Sequence, residues 1–205
     1  MTNQQYYAFI QPYQDAKQIL LTRLDVLNHT LYERGAAGPI HNIQDRIKEK
    51  KSIEEKLRMK GYTDSIQNAK DHLQDIAGIR VICYFVEDIA NLAAAVKRQP
   101  DLVLIKESDY ISHPKPNGYR SHHVVVGVPV YCLDTMEYFP VEIQFRTMSM
   151  DFWASMEHRI CYKKNPADKQ VLADRLKKDA NMLSDIEARF ELYNEKTAEQ
   201  KKNTT

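Results

Sequence analysis

The most constraining feature of the sequence is a strict alternation of apolar and polar residues. In the segment VEIQFR, residues 141–146, an apolar residue occupies every odd position and a large polar residue every even position. Successive side chains of a β-strand point to opposite faces of the sheet, so this segment predicts a strand with one apolar and one polar face. A fold built around it must bury one side of a sheet and provide solvent or hydrogen-bond partners for the other.

Other segments predict a sheet that is flanked by helices. A β-branched and aromatic run at residues 79–85 predicts a buried strand, and residues 102–106 and 122–131 have strand character. Amphipathic periodicity and capping residues predict helices at residues 6–31, 42–59, 89–98, 149–162 and 168–196. Helices on either side of strands that are partly joined by hairpin-length links predict an α/β (α+β) fold with a mixed, mainly antiparallel sheet.

The composition restricts the classes of function. The 205 residues suffice for one domain with helical extensions, and 29 Lys and Arg residues are balanced by 28 Asp and Glu residues. A global basic field for nucleic acid or anionic lipid is therefore not expected. The chain does not start with a basic segment followed by an apolar one, and it contains no run of about eighteen apolar residues. We expect a cytoplasmic protein without a membrane partner.

The chain is expected to have three parts. Residues 1–39 form an N-terminal helix, residues 40–165 form the core, and residues 166–205 form a C-terminal helix with a polar tail. The C-terminal helix carries a seam of apolar residues near heptad spacing: Leu172, Leu176, Leu183, Ile186, Phe190 and Tyr193. Because a monomer surface does not need such a seam, it predicts self-association.

Two acidic residues are candidates for a metal site. Glu142 lies on the polar face of the alternating strand, and Asp75 stands just before the predicted strand at 79–85. Taken alone, Glu142 is typical of an exposed sheet face and Asp75 of a cap. Together at neighbouring strands, they would provide the oxygen ligands of Mg²⁺, with waters and substrate phosphates completing its shell. Zinc is disfavoured because the histidines do not have the helical or hairpin spacing, with a cysteine, that zinc ligands show.

The predicted helix at residues 42–59 is unusually basic. Lys48, Ser52 and Lys56 are four residues apart and would share one helix face. A run of charges is usually a solvated face, and that interpretation suits the other lysines of this helix. For this row the alternative is a clamp on a polyphosphate chain, because ammonium and hydroxyl groups in line can follow consecutive phosphates.

The segment HPKPNGYRSHH, residues 113–123, allows three interpretations. Its three histidines could bind a metal, the segment could be a solvated turn, or it could bind an anion while its tyrosine stacks on a planar group. Its prolines and glycine predict a stiff, bent backbone. On that backbone Tyr119 would present a ring face to a base. Lys115 and His123 would lie close enough to bind a phosphate group of the same ligand.

These features together suggest a site for two nucleotides and a divalent metal. Four segments carry a resemblance to a known family: DIAGIRV at 75–81, DYISHPKPNGYRSHH at 109–123, VEIQFRT at 141–147 and DFWASMEHRICYK at 151–163. With the pattern R-x-K-x-x-x-S-x-x-x-K at 46–56, they resemble the synthetase domain of the RelA/SpoT family. The short chain is similar to the single-domain small alarmone synthetases, which make pppGpp and ppGpp in the stringent response. The resemblance implies a nucleotidyltransferase-like fold and a homotetramer.

The resemblance also implies Mg²⁺-dependent transfer of pyrophosphate from ATP to the ribose 3′-hydroxyl of GTP or GDP. Asp75 and Glu142 would bind the metal, and Glu142 would also accept the hydroxyl proton. In the ATP site, Arg46 and Arg80 would sandwich the adenine. The ATP phosphates would be held by Lys48, Ser52 and Lys56. The acceptor site, with the tyrosine stacked on guanine, would comprise Lys115, Asn117, Tyr119, His123, Gln144, Arg146, Glu157 and His158.

Two further functions stay open at the level of sequence. A toxic relative of the same fold transfers pyrophosphate to the 3′ end of tRNA, which would require a basic path for RNA that a net charge of +1 does not suggest. The chain could also be a non-catalytic module that binds RNA or a nucleotide, but such a module has no need of paired metal carboxylates. The segment KESD at 106–109 leaves the choice between GTP and GDP open.

Overall fold

Five strands and six helices make up the described part of the chain. A computed structural model describes residues 1–31, 38–161 and 166–202, with the side chains of the last range described for 172–196. The strands are β1 (Ile40–Ile47), β2 (Ala77–Cys83), β3 (Val103–Asp109), β4 (His122–Cys132) and β5 (Thr135–Thr147). The helices are α1 (Asn3–Thr30), α2 (Lys50–Met59), α3 (Ile66–His72), α4 (Val86–Lys97), α5 (Met148–Cys161) and α6 (Pro166–Lys202). Residues 32–37 of the expected N-terminal part, and the predicted helix end at residue 162, lie outside the described ranges.

The strands form one sheet in the order β1-β2-β5-β4-β3. The β2–β5 pair is parallel, and the pairs β1–β2, β5–β4 and β4–β3 are antiparallel. A parallel pair needs a crossover connection, and here the chain passes through α4, β3 and β4 before β5 returns beside β2. The predicted mixed, mainly antiparallel sheet flanked by helices is therefore confirmed.

One face of the sheet is covered by α1 and α4. On β5, Val141, Ile143 and Phe145 are completely buried in this layer, so the alternating strand has the predicted orientation. Tyr13 of α1 packs edge-to-face on Phe139, with ring centroids 5.2 Å apart. The even-numbered residues of β5 consequently lie on the opposite, open face of the sheet.

The helix predicted at residues 42–59 is wrong in its first half. Residues 42–47 belong to the edge strand β1, and α2 begins at Lys50. The partly buried residues of β1 are Ile40, Ile43 and Ile47, whose spacing of three and four imitates a helix. A register shift at the start of β1 removes the alternation that a strand usually shows. Backbone pairing with β2, which local periodicity does not reveal, decides the conformation.

Three smaller differences concern helices. The short helix α3 has no counterpart among the predicted elements, and α6 continues to Lys202, beyond the polar tail expected from residue 196. The helix α4 begins at Val86, three residues before its predicted start, and the Asp88 carboxylate in its first turn accepts the Phe85 N–H at 3.0 Å. In the part of the chain that is described, no helix combines the length and apolar character needed to cross a membrane.

The helix α6 packs against α5 along part of its length. Leu176 and Ala180 are buried against Trp153, whose Nε1 donates to the Leu176 carbonyl at 2.8 Å. Farther along the helix, Ile186 and Phe190 are 42% and 59% exposed. The predicted seam therefore divides into a half that packs within the chain and a half that faces solvent.

Candidate active site

The open face of the sheet brings together polar side chains from its three central strands. Gln144 of β5 pairs in register with Arg80 of β2 on one side and with His123 of β4 on the other. Residues that are paired across neighbouring strands point to the same face. Glu142 and Arg146 follow on this face at the adjacent even positions of β5. The parallel β2–β5 pair thus places Arg80 beside β5 on one side. The β4–β5 hairpin places His123 beside the same strand on the other side.

Two cavities on this face share one wall. The arginine cavity, of about 220 Å³, is lined by Arg46 and Arg80 among others. The lysine cavity, of about 310 Å³, is lined by four lysines: Lys56, Lys60, Lys106 and Lys115. Asp75 and Glu142 line both cavities. The two carboxylates, which lie far apart in the sequence, therefore stand where the two cavities meet.

Asp75 is held by two lysines. Its Oδ2 lies 2.8 Å from Lys48 Nζ and 2.6 Å from Lys56 Nζ, and its Oδ1 is buried without a hydrogen-bond partner. Burial opposes ionisation of Asp75, but the hydrogen bonds and charges of the two lysines outweigh it and lower the pKa of the carboxyl. Asp75 is therefore an anion with one oxygen that is available to a cation.

The predicted row of Lys48, Ser52 and Lys56 along one helix face does not form. Lys48 follows β1 and precedes Glu49, the N-cap of α2, so only Ser52 and Lys56 have helical spacing. Both lysines contact Asp75: Lys48 from the end of β1 and Lys56 from α2. Ser52 is exposed on α2.

Glu142 belongs to a closed ring of hydrogen-bonding groups. Gln144 Nε2 donates to Glu142 Oε2 at 2.9 Å, and Arg146 donates to Gln144 Oε1 at 3.2 Å and to the Tyr119 hydroxyl at 3.0 Å. The Tyr119 hydroxyl lies 2.8 Å from His123 Nε2, and His123 Nδ1 lies 3.3 Å from Glu142 Oε1. The ring links β4, β5 and the loop between β3 and β4.

The ring determines where its protons lie. The Tyr119 hydroxyl accepts a hydrogen bond from Arg146, so its own hydrogen is available to His123 Nε2. In the neutral tautomer that accepts this hydrogen, His123 carries its proton on Nδ1, facing Glu142. Burial and the charge of Asp75 oppose ionisation of Glu142, but hydrogen bonds from His123 and Gln144 outweigh them and lower the pKa of the carboxyl. Glu142 is consequently a charged acceptor at neutral pH.

The loop between β3 and β4 has a bent backbone, as its prolines and glycine predict. Gly118 has a φ of +94°, and Asn117 Oδ1 accepts the Tyr119 N–H at 3.2 Å. Lys115 Nζ lies 4.7 Å from the centre of the Tyr110 ring and 4.8 Å from that of the Tyr119 ring. The predicted open face of Tyr119 is therefore covered by an ammonium group. Tyr110, unlike Tyr119, lines the lysine cavity.

Asp151 is a site residue that the sequence analysis does not identify. Its Oδ1 lies 3.0 Å from an Arg146 nitrogen and 3.3 Å from an Arg80 nitrogen. Burial and the charge of Arg146 lower the pKa of Arg80, so the two guanidiniums are close enough to repel each other. Asp151 begins the segment DFWASMEHRICYK, but no pattern in that segment shows that the first turn of α5 points at β2 and β5.

Several residues singled out in the sequence lie away from both cavities. Glu157 and His158 lie on α5, half-buried and exposed respectively, and line neither cavity. His113 is exposed, and His122 Nε2 lies 2.8 Å from a Glu107 oxygen on β3. All three histidines of the segment 113–123 are described and do not converge, so its interpretation as a metal site is wrong.

The acid pair suits a divalent cation. Within the described ranges, no group of three or more His, Cys, Asp or Glu side chains is placed to hold a metal. Mg²⁺ needs only one or two carboxylates where substrate phosphates and waters complete its shell. The buried, unpartnered Asp75 Oδ1 could provide one such ligand, and the charged Glu142 on the same wall could provide the other. The residues present therefore fit this ion.

Comparison with known proteins agrees with this geometry. The family model described as a region found in RelA/SpoT proteins matches residues 45–167, which is more than half of the chain. The chain belongs to the RelA/SpoT family. Within that family it is 41% identical over 170 residues to the GTP pyrophosphokinase YwaC of Bacillus subtilis, a match that covers 83% of this chain and 81% of that protein. It is 37% identical over 164 residues to the GTP pyrophosphokinase YjbM of the same organism, covering 80% and 76%.

Solved RelA/SpoT-family structures have the same fold. The small alarmone synthetase 1 of Bacillus subtilis, bound to its product pppGpp, matches with a TM-score of 0.84 and 30% identity, covering 96% of this chain and 100% of that one. The small alarmone synthetase 2 of the same organism matches with a TM-score of 0.80 and 36% identity, covering 93% and 98%. The family resemblance of the sequence motifs is therefore confirmed.

Proposed function

We propose that this RelA/SpoT-family protein is a GTP pyrophosphokinase that transfers pyrophosphate from ATP to the 3′-hydroxyl of GTP or GDP, making pppGpp or ppGpp. The observation that carries the proposal is the position of Asp75 and Glu142 on the wall shared by the arginine cavity and the lysine cavity. A transfer between two nucleotides requires two pockets whose reacting groups meet at one point. The names of the two Bacillus subtilis relatives support the same reaction.

In this proposal ATP occupies the arginine cavity. Arg46 and Arg80 lie on the neighbouring strands β1 and β2, two register positions apart, and planar guanidiniums stack well on a base. Lys48 and Lys56 would exchange their contact with Asp75 for the phosphates of ATP, which would reach the shared wall, because Lys56 lies on the side of the lysine cavity. Ser52, one turn before Lys56 on α2, would add a hydroxyl to the outer end of this chain of contacts.

The acceptor nucleotide occupies the lysine cavity. Lys115 would leave the rings of Tyr110 and Tyr119 for the acceptor's phosphates, and this movement would uncover Tyr119 for guanine. The other acceptor contacts are assigned to His123 on the cavity wall and, by the family resemblance, to Asn117, Gln144 and Arg146. Of these last three, Gln144 lines the arginine cavity and the others line neither cavity. Glu157 and His158 are assigned to the acceptor by the family resemblance alone.

The chemistry takes place at the acid pair. Asp75 and Glu142 would hold Mg²⁺, which when bound neutralises charge on the transferred phosphates. Glu142 accepts the proton of the ribose 3′-hydroxyl while that oxygen bonds to the β-phosphorus of ATP. The bond from this phosphorus to the oxygen bridging to the α-phosphate breaks, and AMP leaves with the electron pair. Donation from His123 and Gln144 keeps Glu142 oriented toward the hydroxyl.

We also propose that the protein acts as a homotetramer in the cytoplasm. An apolar cavity of about 310 Å³ lies between α6 and the ends of β2 and β5, lined by residues that include Tyr84, Phe85, Met148, Ile186 and Phe190. It adjoins the exposed half of the α6 seam. Contiguous exposed apolar surface of this kind is typical of a protein interface.

The proposed function is tested by incubating the protein with Mg²⁺ and β-labelled ATP and offering GDP, GTP or bulk tRNA as acceptor. The expected result is label in a guanosine nucleotide that carries a 3′-pyrophosphate. Label on tRNA would instead identify a tRNA pyrophosphokinase. Absence of transfer to any acceptor would leave a nucleotide-binding module and would overturn the proposal.

A further inference from the structure

The carboxylate of Asp151 links two arginines that belong to the site. Asp151 lies in the first turn of α5, with 15% of its side chain exposed, and one of its oxygens contacts both Arg80 and Arg146. Arg80 lines the arginine cavity. Arg146 belongs to the ring of hydrogen bonds around Glu142 and donates to Tyr119 and Gln144. The contact of Asp151 therefore joins a wall of the arginine cavity to the ring around Glu142, whose members His123 and Glu142 line the lysine cavity.

Among the residues that the structure describes, neither arginine has a second anion to hold it. In the described ranges, Asp151 is the one carboxylate within 4.0 Å of either guanidinium. The Nε atoms of Arg80 and Arg146 are both buried without a hydrogen-bond partner. Gln44, the other described partner of Arg80, is neutral and contacts it at 3.1 Å. Asp151 Oδ1 contacts a nitrogen of each guanidinium and so offsets the repulsion between the two positive charges.

We propose that Asp151 is a positioning residue that holds the adenine-binding and acceptor-binding arginines in one arrangement, so that both nucleotides depend on the same carboxylate. This inference rests on the proposed function for the assignment of a nucleotide to each cavity. It goes beyond that function because Asp151 touches neither cavity and acts only through Arg80 and Arg146.

The loss of this charge has a predictable direction. Arg80, with 31% of its side chain exposed, can turn toward solvent, whereas Arg146, with 7% exposed, is confined beside Tyr119 and Gln144. Without Asp151, repulsion drives Arg80 out of the arginine cavity. Arg146 loses its charged partner, and its hydrogen bond to the Tyr119 hydroxyl is weakened. Binding of ATP and of the acceptor should therefore weaken together.

A purely structural role predicts a different result. An acidic residue in the first turn of a helix stabilises that helix through its dipole. If Asp151 served only α5, its replacement would lower thermal stability and leave both nucleotide affinities unchanged. Nucleotide affinity therefore separates the two roles where thermal stability does not.

The test compares Asp151→Asn and Asp151→Glu with wild type, using calorimetric binding of α,β-methylene-ATP and, separately, of GDP. For Asp151→Asn we expect both dissociation constants to rise on the order of tenfold, because a charge-assisted contact is lost on each side. Asp151→Glu, which restores the charge, should bind both nucleotides more tightly than Asp151→Asn. Asp185→Asn, at an exposed position of α6, is the matched control and should bind both as wild type does.

Unchanged affinity for both nucleotides in Asp151→Asn, or weakening of one nucleotide alone, would overturn the inference. Wild-type transfer of label from ATP to GDP or GTP is measured in parallel. If transfer occurs and Asp151→Asn binds normally, the inference fails and the proposed function stands. If binding weakens as expected but wild type transfers no label, the proposed function fails and the shared dependence on Asp151 stands.

Discussion

At the scale of single residues, two partly buried carboxylates decide what the site can do. Burial alone would favour their neutral forms. Asp75 stays charged because two lysines contact one of its oxygens, and Glu142 stays charged because His123 and Gln144 donate to it. The two acids are therefore ready for a cation and for a proton before any nucleotide binds.

Glu142→Gln is expected to lower the rate of pyrophosphate transfer by about 10²- to 10⁴-fold, because the amide cannot accept the 3′-hydroxyl proton. The side chain keeps its shape, so thermal unfolding should stay close to wild type. Glu137→Gln, on the same strand with 63% of its side chain exposed, is the matched control and should keep the wild-type rate. A wild-type rate in Glu142→Gln would remove Glu142 from the proposed chemistry.

Asp75→Asn tests the charge of the second acid through stability. The folded pKa of Asp75 is depressed, so its contribution is present above the unfolded pKa of about 3.9 and is lost as the pH falls through the lower folded value. We expect Asp75→Asn to lower the free energy of unfolding by about 2 kcal/mol at pH 7, because two lysines lose their anion. Urea unfolding measured from pH 7 downward should show this difference shrinking below about pH 4.

Asp71→Asn provides the control for this series. Asp71 is exposed on α3 and accepts hydrogen bonds from Gln67 one turn away. Its replacement should change the free energy of unfolding by less than about 0.5 kcal/mol at any pH. A difference for Asp75→Asn that persisted undiminished at low pH would contradict the role of its ionisation.

At the scale of elements, the loop before β4 is tied to α6 through a glycine. A Cβ on Gly118 would lie 2.8 Å from Ala180 Cβ and 2.9 Å from Lys177 Cα, both on α6. The loop can therefore approach the helix this closely only without a side chain at this position. Because the same loop carries Lys115 and Tyr119, the position of α6 bears on the acceptor site.

Gly118→Ala should be more destabilising than Gly61→Ala. Both glycines have positive φ, of +94° and +82°, but a Cβ on Gly61 would meet nothing within 4 Å. Gly61→Ala should therefore lower the free energy of unfolding by about 1 kcal/mol, and Gly118→Ala by that amount plus the cost of displacing α6. Urea unfolding measures both, and equal losses would show that the contact with α6 does not constrain the loop.

At the scale of the whole molecule, an apolar surface remains uncovered on one side. The large apolar side chains that are exposed on the described part of α6 are Met182, Ile186, Phe190, Leu192 and Tyr193. The buried half of the same helix is already occupied by α5. A second copy of the chain is therefore the partner that we expect on the exposed half.

Light scattering at micromolar concentration should show a tetramer for the wild-type chain. Phe190→Arg should reduce the mass, because a charge at a position that is 59% exposed would be buried in the interface without a partner. Val26→Arg, at an exposed apolar position of α1, is the matched control and should keep the wild-type mass. A monomeric wild-type chain would contradict the predicted association.

The parts of the site that could be predicted from sequence are those with a local signal. The alternation of residues 141–146 identifies the polar face of β5, and the prolines and glycine of 113–123 predict the bent loop. The basic segment misleads, because the spacing of Ile40, Ile43 and Ile47 on an edge strand imitates a helix. Asp151 and Tyr110 have no local signal, because no periodicity or turn motif shows that Asp151 reaches Arg80 or that Tyr110 packs on His123.

Local chemistry by itself determined which strand face would carry Glu142 and which segments would bend, because side-chain alternation and backbone freedom depend on neighbouring residues. The tertiary structure alone decided that β2 lies beside β5, that Asp75 meets two lysines, and that one aspartate faces two arginines. Apart from the Asp151–Arg146 pair, five positions apart, these side-chain contacts join residues separated by 19 to 71 positions. They depend on the energy of packing the whole sheet, which no short segment of the chain contains.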